Sequence, residues 1–398
     1  MVELSYLLIE DHSRNNHRSG EGATVELKDG RLLLMYTAFR GESSADHAAA
    51  KIYLRTSSDA GATWSDPNVA FACPPIALNV MSVSLLRLAD GRLGCTFSVK
   101  WTETCCIPQW TTSSDEGKTW SDPSPITADI AYFTVNNDRL VQLRDGTIVL
   151  PYALLRGIPK DANDKELLRE WLNGWCGIFY SKDGGATWHA PNTARQFQKD
   201  WFVLPDPFDP DSMAKIEQQA IKERYDVFQE PGVVELRNGR LLIWVRSLSH
   251  IFVATADDKD SPWSTYTAIP GINVSCSPQT IKRVPLTGDL VMLYNDRGRV
   301  PFGTPTFQLR TPLSLAVSQD EGQTWQKLPS LEEDQTRSYC YFSLLFFGTQ
   351  FLATYYESTE ARNADGTVKL SAQGLPTRRN LASLKMCSGD QMRFAVIG

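Results

Sequence analysis

Short runs of β-prone residues recur along this chain, each broken by a tight polar turn. VELKDGRLLLMY turns at Gly30, LRLADGRLGCTF at Gly91 and VQLRDGTIVLPY at Gly146. VELRNGRLLIWV follows at Gly239, KRVPLTGDLVMLY at Gly288 and LLFFGTQFLATY at Gly348. Apolar and β-branched residues on both sides of an Asp-Gly, Asn-Gly or Gly-containing turn predict an antiparallel hairpin at each place.

A second repeat runs in step with the first. Residues 57–64 (SSDAGATW), 113–120 (SSDEGKTW), 181–188 (SKDGGATW) and 318–325 (SQDEGQTW) all read S-x-D-x-G-x-T-W. Residues 256–263 (ADDKDSPW) keep the aspartate and tryptophan but lack the glycine and threonine. Ser and Asp side chains can bond neighbouring backbone N–H groups in a tight turn, Gly supplies positive φ, and Trp covers the turn with a large apolar face. Each such Asp box predicts a staple between two outer strands, a structural role.

Six hairpins, most of them about one four-stranded blade apart, predict an all-β fold, a six-bladed β-propeller with Asp-box hairpins. The spacing from Gly30 to Gly91 is 61 residues, from Gly239 to Gly288 it is 49, and from Gly288 to Gly348 it is 60. Five boxes for six blades imply that the chain ends complete the last blade and seal the ring's edge. The 93 residues from Gly146 to Gly239 are too many for one blade. The excess holds DANDKELLREWLNGW and DPDSMAKIEQQAIKERYDV, so a partly helical insertion is predicted around residues 155–230, on the rim. No linker rich in Pro, Gly or Ser divides the chain, and residues 1–398 are read as one domain.

Composition narrows the function classes. With 42% hydrophobic and 22% charged residues, a packed core is expected, and a net charge of −6 argues against nucleic acid as partner. Eight cysteines lie at 73, 95, 105, 106, 176, 276, 340 and 387 with no CxxC pair or metal-like spacing, so buried thiols are expected, with neither metal nor cofactor. No stretch has signal-peptide character or the 18 apolar residues of a membrane span; a cytoplasmic protein, or one already trimmed, is expected.

Beyond the boxes, the whole chain resembles the sialidase (neuraminidase) superfamily, in particular its bacterial Asp-box branch. That resemblance implies three arginines for a substrate carboxylate. Arg18 in HRSGEG lies just before the first hairpin, with Arg14 and Arg40 as neighbouring alternatives, and the family's R-I-P start is absent. Arg246 closes QEPGVVELRNGRLLIWVR, which also supplies Glu230, and Arg310 opens RTPLSLAVSQDEGQTW. Asp46, in DHAAAKIYLRTSSDAG, matches the family's acid, with His47 beside it. In SYCYFSLLFFGTQFLATYYES the resemblance implies Tyr341 as nucleophile, with Tyr339 a close competitor, and Glu357 as the carboxylate that holds one clamp arginine.

The chemistry accounts for such a set. A sialoside carries a carboxylate on its anomeric carbon, and guanidinium groups match that anion with planar, partly bidentate hydrogen bonds that lysine lacks. A neutral phenol whose proton passes to Glu230 avoids bringing a second anion to that carbon, a departure from the usual pair of carboxylates. A protonated Asp46 could give its proton to the leaving oxygen.

One further segment is unusual. FTVNNDRLVQL places Asn136, Asn137, Asp138 and Arg139 just before the third hairpin, where an inner strand faces the central funnel. Amides and opposite charges there either bind a hydroxylated ligand or form an internal network. Ligand contact by Asn137, Asp138 and Arg139 is the preferred expectation. The leading functional expectation is a metal-independent retaining exo-glycosidase acting on a sialylated or other acidic glycan. Its rivals are an exo-glycosidase for another glycone and a glycan-binding propeller without catalysis.

Overall fold

The computed structural model describes residues 4–13, 15–40, 43, 45–155, 173–191, 193–195, 227–247, 250–275, 277–296, 310–360 and 378–395. Most of the insertion expected around residues 155–230, with its helical stretches, lies outside the described residues, as does Arg14.

The strands form antiparallel meanders in chain order. Arg18–Glu26, Leu32–Phe39, Lys51–Ser57 and Asn68–Phe71 make the first. Asn79–Arg87, Leu93–Thr102, Cys105–Ser113 and Ser124–Pro125 make the second. Val141–Gln142, Ile148–Leu155 and Trp175–Ser181 follow, tied to the second by Tyr132–Thr134. Gln229–Glu235, Leu241–Arg246, His250–Ala256 and Thr267–Asn273 come next. Thr280–Arg283, Leu290–Tyr294, Leu313–Ser318 and Gln326–Glu332 continue the series. Arg337–Phe347, Gln350–Glu360 and Arg378–Asp390 end it, and the N-terminal strand Ser5–Glu10 adds to that last sheet.

Leading strands of these meanders pack against one another. Arg18–Glu26 touches both Asn79–Arg87 and Arg337–Phe347, and Thr280–Arg283 touches both Gln229–Glu235 and Arg337–Phe347. The architecture is a β-propeller. Its apolar seams lie between neighbouring meanders: Met35, Ile52, Val83 and Phe97 fill one, and Val149, Ile178, Ile243 and Phe252 another. Among the described residues no helix is long and apolar enough to cross a membrane. All seven described cysteines are free, five of them buried.

The boxes close as staples. Ser57 Oγ donates to Asp59 Oδ1 at 2.7 Å and accepts from the Gly61 N–H at 2.8 Å, while the Thr63 N–H donates to the same carboxylate at 2.9 Å. The same bonds recur around Asp115, Asp183 and Asp320. The two boxes that carry a glutamate after the aspartate also grip their neighbours. Glu116 accepts from the Lys28 N–H and from Arg87, and Glu321 from the Arg237 N–H and Arg283. Because the first strand of a meander runs to its Gly turn, the second back and the third out again, turns and boxes share one end of the ring. The starts of the first strands face the other end.

Hydrogen bonds from the box threonines, then from the backbone and the box serines, hold the Asp59, Asp115 and Asp183 carboxyls down at about 2. A carboxyl whose folded pKa lies below its unfolded value stabilises the fold above that unfolded value, near 3.8. The contribution is lost as pH falls towards 2. The thermal midpoint is therefore expected to drop across that window. Substituting Thr63, Thr119 and Thr187 by valine should flatten the drop; an unaltered slope in the triple variant would show that the boxes play no part in it.

Candidate active site

The centre of the ring is built by a repeated backbone device. In four of the first strands the pairing register slips: between Gly20 and Ala23, Met81 and Ser84, Gln229 and Gly232, and Cys340 and Ser343. Each bulge holds one non-glycine residue in the left-handed region: Glu21 (φ 51°), Ser82 (60°), Glu230 (44°) and Tyr341 (55°). Asp138, just before Val141–Gln142, does the same at φ 57°. Bulges re-aim side chains, and non-glycine residues held in this region cluster at functional sites. Here they bring together residues far apart in sequence.

Tyr341 Oη donates to Glu230 Oε1 at 3.4 Å, and Glu230 Oε2 accepts from Arg246 at 2.7 Å. Burial, reinforced by the Glu230 charge and opposed by Arg246, holds the Tyr341 phenol well above the usual tyrosine range, so it stays neutral. Arg310 donates to Tyr356 Oη at 2.9 Å and meets the Cys340 thiol, and its guanidinium lies 5.8 Å from the centre of the Tyr341 ring. The Tyr341 and Tyr356 rings are 5.3 Å apart. Arg246 and Arg310 are close enough to oppose each other's charge, and Tyr356 lies within electrostatic reach of both Arg310 and Arg18.

Arg18 stacks on Phe39 with its guanidinium carbon 3.8 Å from the ring centre. It donates to Asp46 at 2.7 Å and faces Glu21 at 3.5 Å. Glu21 is buried and accepts from Ser82 Oγ at 2.9 Å; burial, only partly offset by Arg18, raises its pKa. Asp46 is different. Its side chain is 62% exposed, and although desolvation pushes its pKa up, the charge and hydrogen bond of Arg18 bring it below the usual range. Arg18, Asp46, Glu230, Arg246, Arg310 and Tyr341 thus belong to one linked group.

Tyr339 and Tyr341 point to opposite faces of their strand. Tyr339 is buried in an apolar cluster, edge-on to Tyr355, while Tyr341 faces Glu230. The bulge between Cys340 and Ser343 turns Tyr341 away from the Tyr339 face, and the pairing register corrects the expectation for Glu357. It pairs opposite Tyr339, away from the centre, where it binds Arg337 and Lys385 and none of the three clamp arginines. Tyr356, one residue earlier, is the side chain on the arginine face, and Glu21 is the buried carboxylate beside Arg18.

The ligand-contact expectation for residues 137–139 is likewise corrected for Asp138 and Arg139, whose polar groups the protein itself takes up, while the buried Asn137 Oδ1 has no hydrogen-bond partner among the described residues. Arg139, 2% exposed, donates to the carbonyls of Pro231, Asn137 and Gln279 and to Thr280 Oγ1. Burial lowers its pKa to about 10. Asp138 accepts from Lys282 and from the Leu344 N–H, and Asn137 donates to the carbonyls of Gly22 and Tyr341. The segment is a hub that ties the bulges carrying Glu230 and Tyr341 to the rest of the ring.

Glu21 and Ser82 went unread in the sequence, yet a signal exists. Glu21, Ser82 and Glu230 each lie nine residues before the glycine of their own hairpin turn, and Asp138 lies eight before its own.

A propeller whose inner bulges gather arginines, carboxylates and a tyrosine defines a class, and comparison with known proteins places the chain within it. Residues 98–352, more than half of the chain, match the BNR repeat-like domain, and the chain belongs to that family. It is 25% identical to a sialidase of Bacteroides fragilis (strain YCH46) over 273 residues, 65% of this chain but only 40% of that relative's length. A Trypanosoma rangeli sialidase solved with the inhibitor DANA shares the fold at a TM-score of 0.65 and 15% identity, covering 98% of this chain and 60% of that one. A Penicillium chrysogenum α-L-arabinanase solved with arabinobiose does so at 0.60 and 14%, covering 98% and 99%.

Proposed function

We propose that the protein is a retaining exo-glycosidase that releases terminal sialic acid, or a closely related acidic sugar, from glycans. The observation that carries this reading is the run from Tyr341 through Glu230 to Arg246, a neutral phenol on a carboxylate already held by an arginine. Arg18, Arg246 and Arg310 bind the substrate carboxylate. Tyr341 Oη then attacks the anomeric carbon as Glu230 takes the phenol proton. The bond to the aglycone oxygen breaks, and that oxygen receives the proton of Asp46. Water, giving a proton back to Asp46, displaces the tyrosine, which recovers its own proton from Glu230.

Without substrate, the Arg18 contact keeps Asp46 ionised. A substrate carboxylate competes for that guanidinium. As it displaces Asp46, the downward pull of Arg18 on the Asp46 pKa weakens, so binding itself favours the protonated acid.

A second reading, the same chemistry on another glycone, is favoured by one observation: two carboxylates, Glu21 and Asp46, already offset the charge of Arg18. The test is release of 4-methylumbelliferone from its α-sialoside beside a panel of neutral and uronic glycosides. Turnover of the sialoside alone is expected. Turnover of a neutral glycoside alone would establish the second reading, and no turnover of any would leave a glycan-binding propeller.

A further inference from the structure

The Asp46 loop is held from the neighbouring meander by a pair of buried polar residues. Lys100, 1% exposed, donates from Nζ to the backbone carbonyl of Asp46 at 2.8 Å. Asn79, fully buried, donates from Nδ2 to that same carbonyl and to the carbonyl of Ala48, each at 2.9 Å. Asn79 and Lys100 are direct cross-strand partners at the end of the hairpin formed by Asn79–Arg87 and Leu93–Thr102. Both partners of one rung of this sheet therefore converge on a single carbonyl of the next, next to a side chain that is itself mostly exposed.

Burying an ammonium is costly, and a hairpin end gains as much from an apolar residue of similar volume. The Tyr132 ring, 5.2 Å from Nζ, compensates only in part. The expense makes sense if the anchored carbonyl must keep its place while the Asp46 carboxylate moves from Arg18 to the leaving oxygen.

We infer that Lys100 and Asn79 are positioning residues for proton donation. They pin the backbone of Asp46 so that its side chain pivots about a fixed Cα once substrate displaces it from Arg18. This inference rests on the reading of Asp46 as general acid, and leaving-group dependence separates the two. An aryl glycoside such as the 4-methylumbelliferyl sialoside leaves with little help, whereas sialyllactose, with a sugar alcohol as leaving group, needs the proton.

Lys100→Met and Asn79→Leu should each lower kcat/KM on sialyllactose by about 10-fold or more while changing the aryl sialoside less than about 3-fold, as expected when the acid is misplaced. Lys100→Arg, which keeps a charged donor, should recover part of the loss. Asp46→Asn is the reference, with the same split in stronger form. If Asp46→Asn shows the split but both positioning variants affect the two substrates equally, or neither, the inference is overturned and the acid assignment stands. If Asp46→Asn shows no split, or the wild-type protein turns over neither substrate, both fall. Should Lys100→Met not fold, Asn79→Leu decides alone, because it removes the same anchor without touching a charge.

Discussion

Tyr341→Phe is expected to abolish turnover, with a loss of about 1,000-fold or more, while leaving the fold intact. The substitution removes one oxygen. The ring keeps its packing against Tyr356 and its place beneath the Arg310 guanidinium, and Glu230 keeps its bond to Arg246. The thermal midpoint and the affinity for an inert sialoside should therefore change little. A 3-fluorosialyl fluoride should label Tyr341 in the wild-type protein, and peptide mass spectrometry would locate the adduct. A Tyr341→Phe protein with full activity and no adduct on the wild type would reduce this residue to an inner-strand aromatic.

The next largest effect concerns the clamp. In Arg310→Lys the charge survives, but the planar fork that meets a carboxylate with two parallel N–H groups while also reaching Tyr356 does not. Losing a charge-assisted hydrogen bond costs about 2–3 kcal/mol, or roughly 100-fold in kcat/KM. The loss should fall on acidic glycosides and spare neutral ones. Unchanged kcat/KM on the acidic substrate would remove Arg310 from substrate binding.

The fold was legible because its determinants are local. An Asp-Gly turn between β-prone runs and a box that closes on its own Ser, Asp and Thr need no distant partner, so periodic spacing revealed the β-propeller. The centre was legible only in part. Glu230, Arg246, Arg310 and Tyr341 could be placed by their position relative to hairpins and boxes, and they meet. Glu357 could not, because the face a strand residue occupies depends on register, and a bulge between Cys340 and Ser343 resets it. Tyr356 took the arginine side and Glu357 the other. Arg139 was misjudged for a different reason. A buried guanidinium near a funnel looks like a ligand group until its carbonyl acceptors are known, and those come from residues 92 and 140 positions away.

The left-handed bulge has a consequence for how such proteins diversify. One backbone pose, repeated around the ring, presents a carboxylate at Glu21, a hydroxyl at Ser82, a carboxylate at Glu230 and a phenol at Tyr341. That pose is set by strand pairing and by the hub of residues 137–139, and the side chain it displays does not build the apolar seams between blades. Chemistry and folding are thus encoded at separate positions, and these sites act as interchangeable ports. A substitution at one port changes the group on display, and its bonded neighbours, Glu21 with Ser82 and Glu230 with Tyr341, must adjust with it. Engineering new glycone selectivity in this scaffold can begin at Ser82, with a replacement that still satisfies Glu21, the acceptor of its hydroxyl.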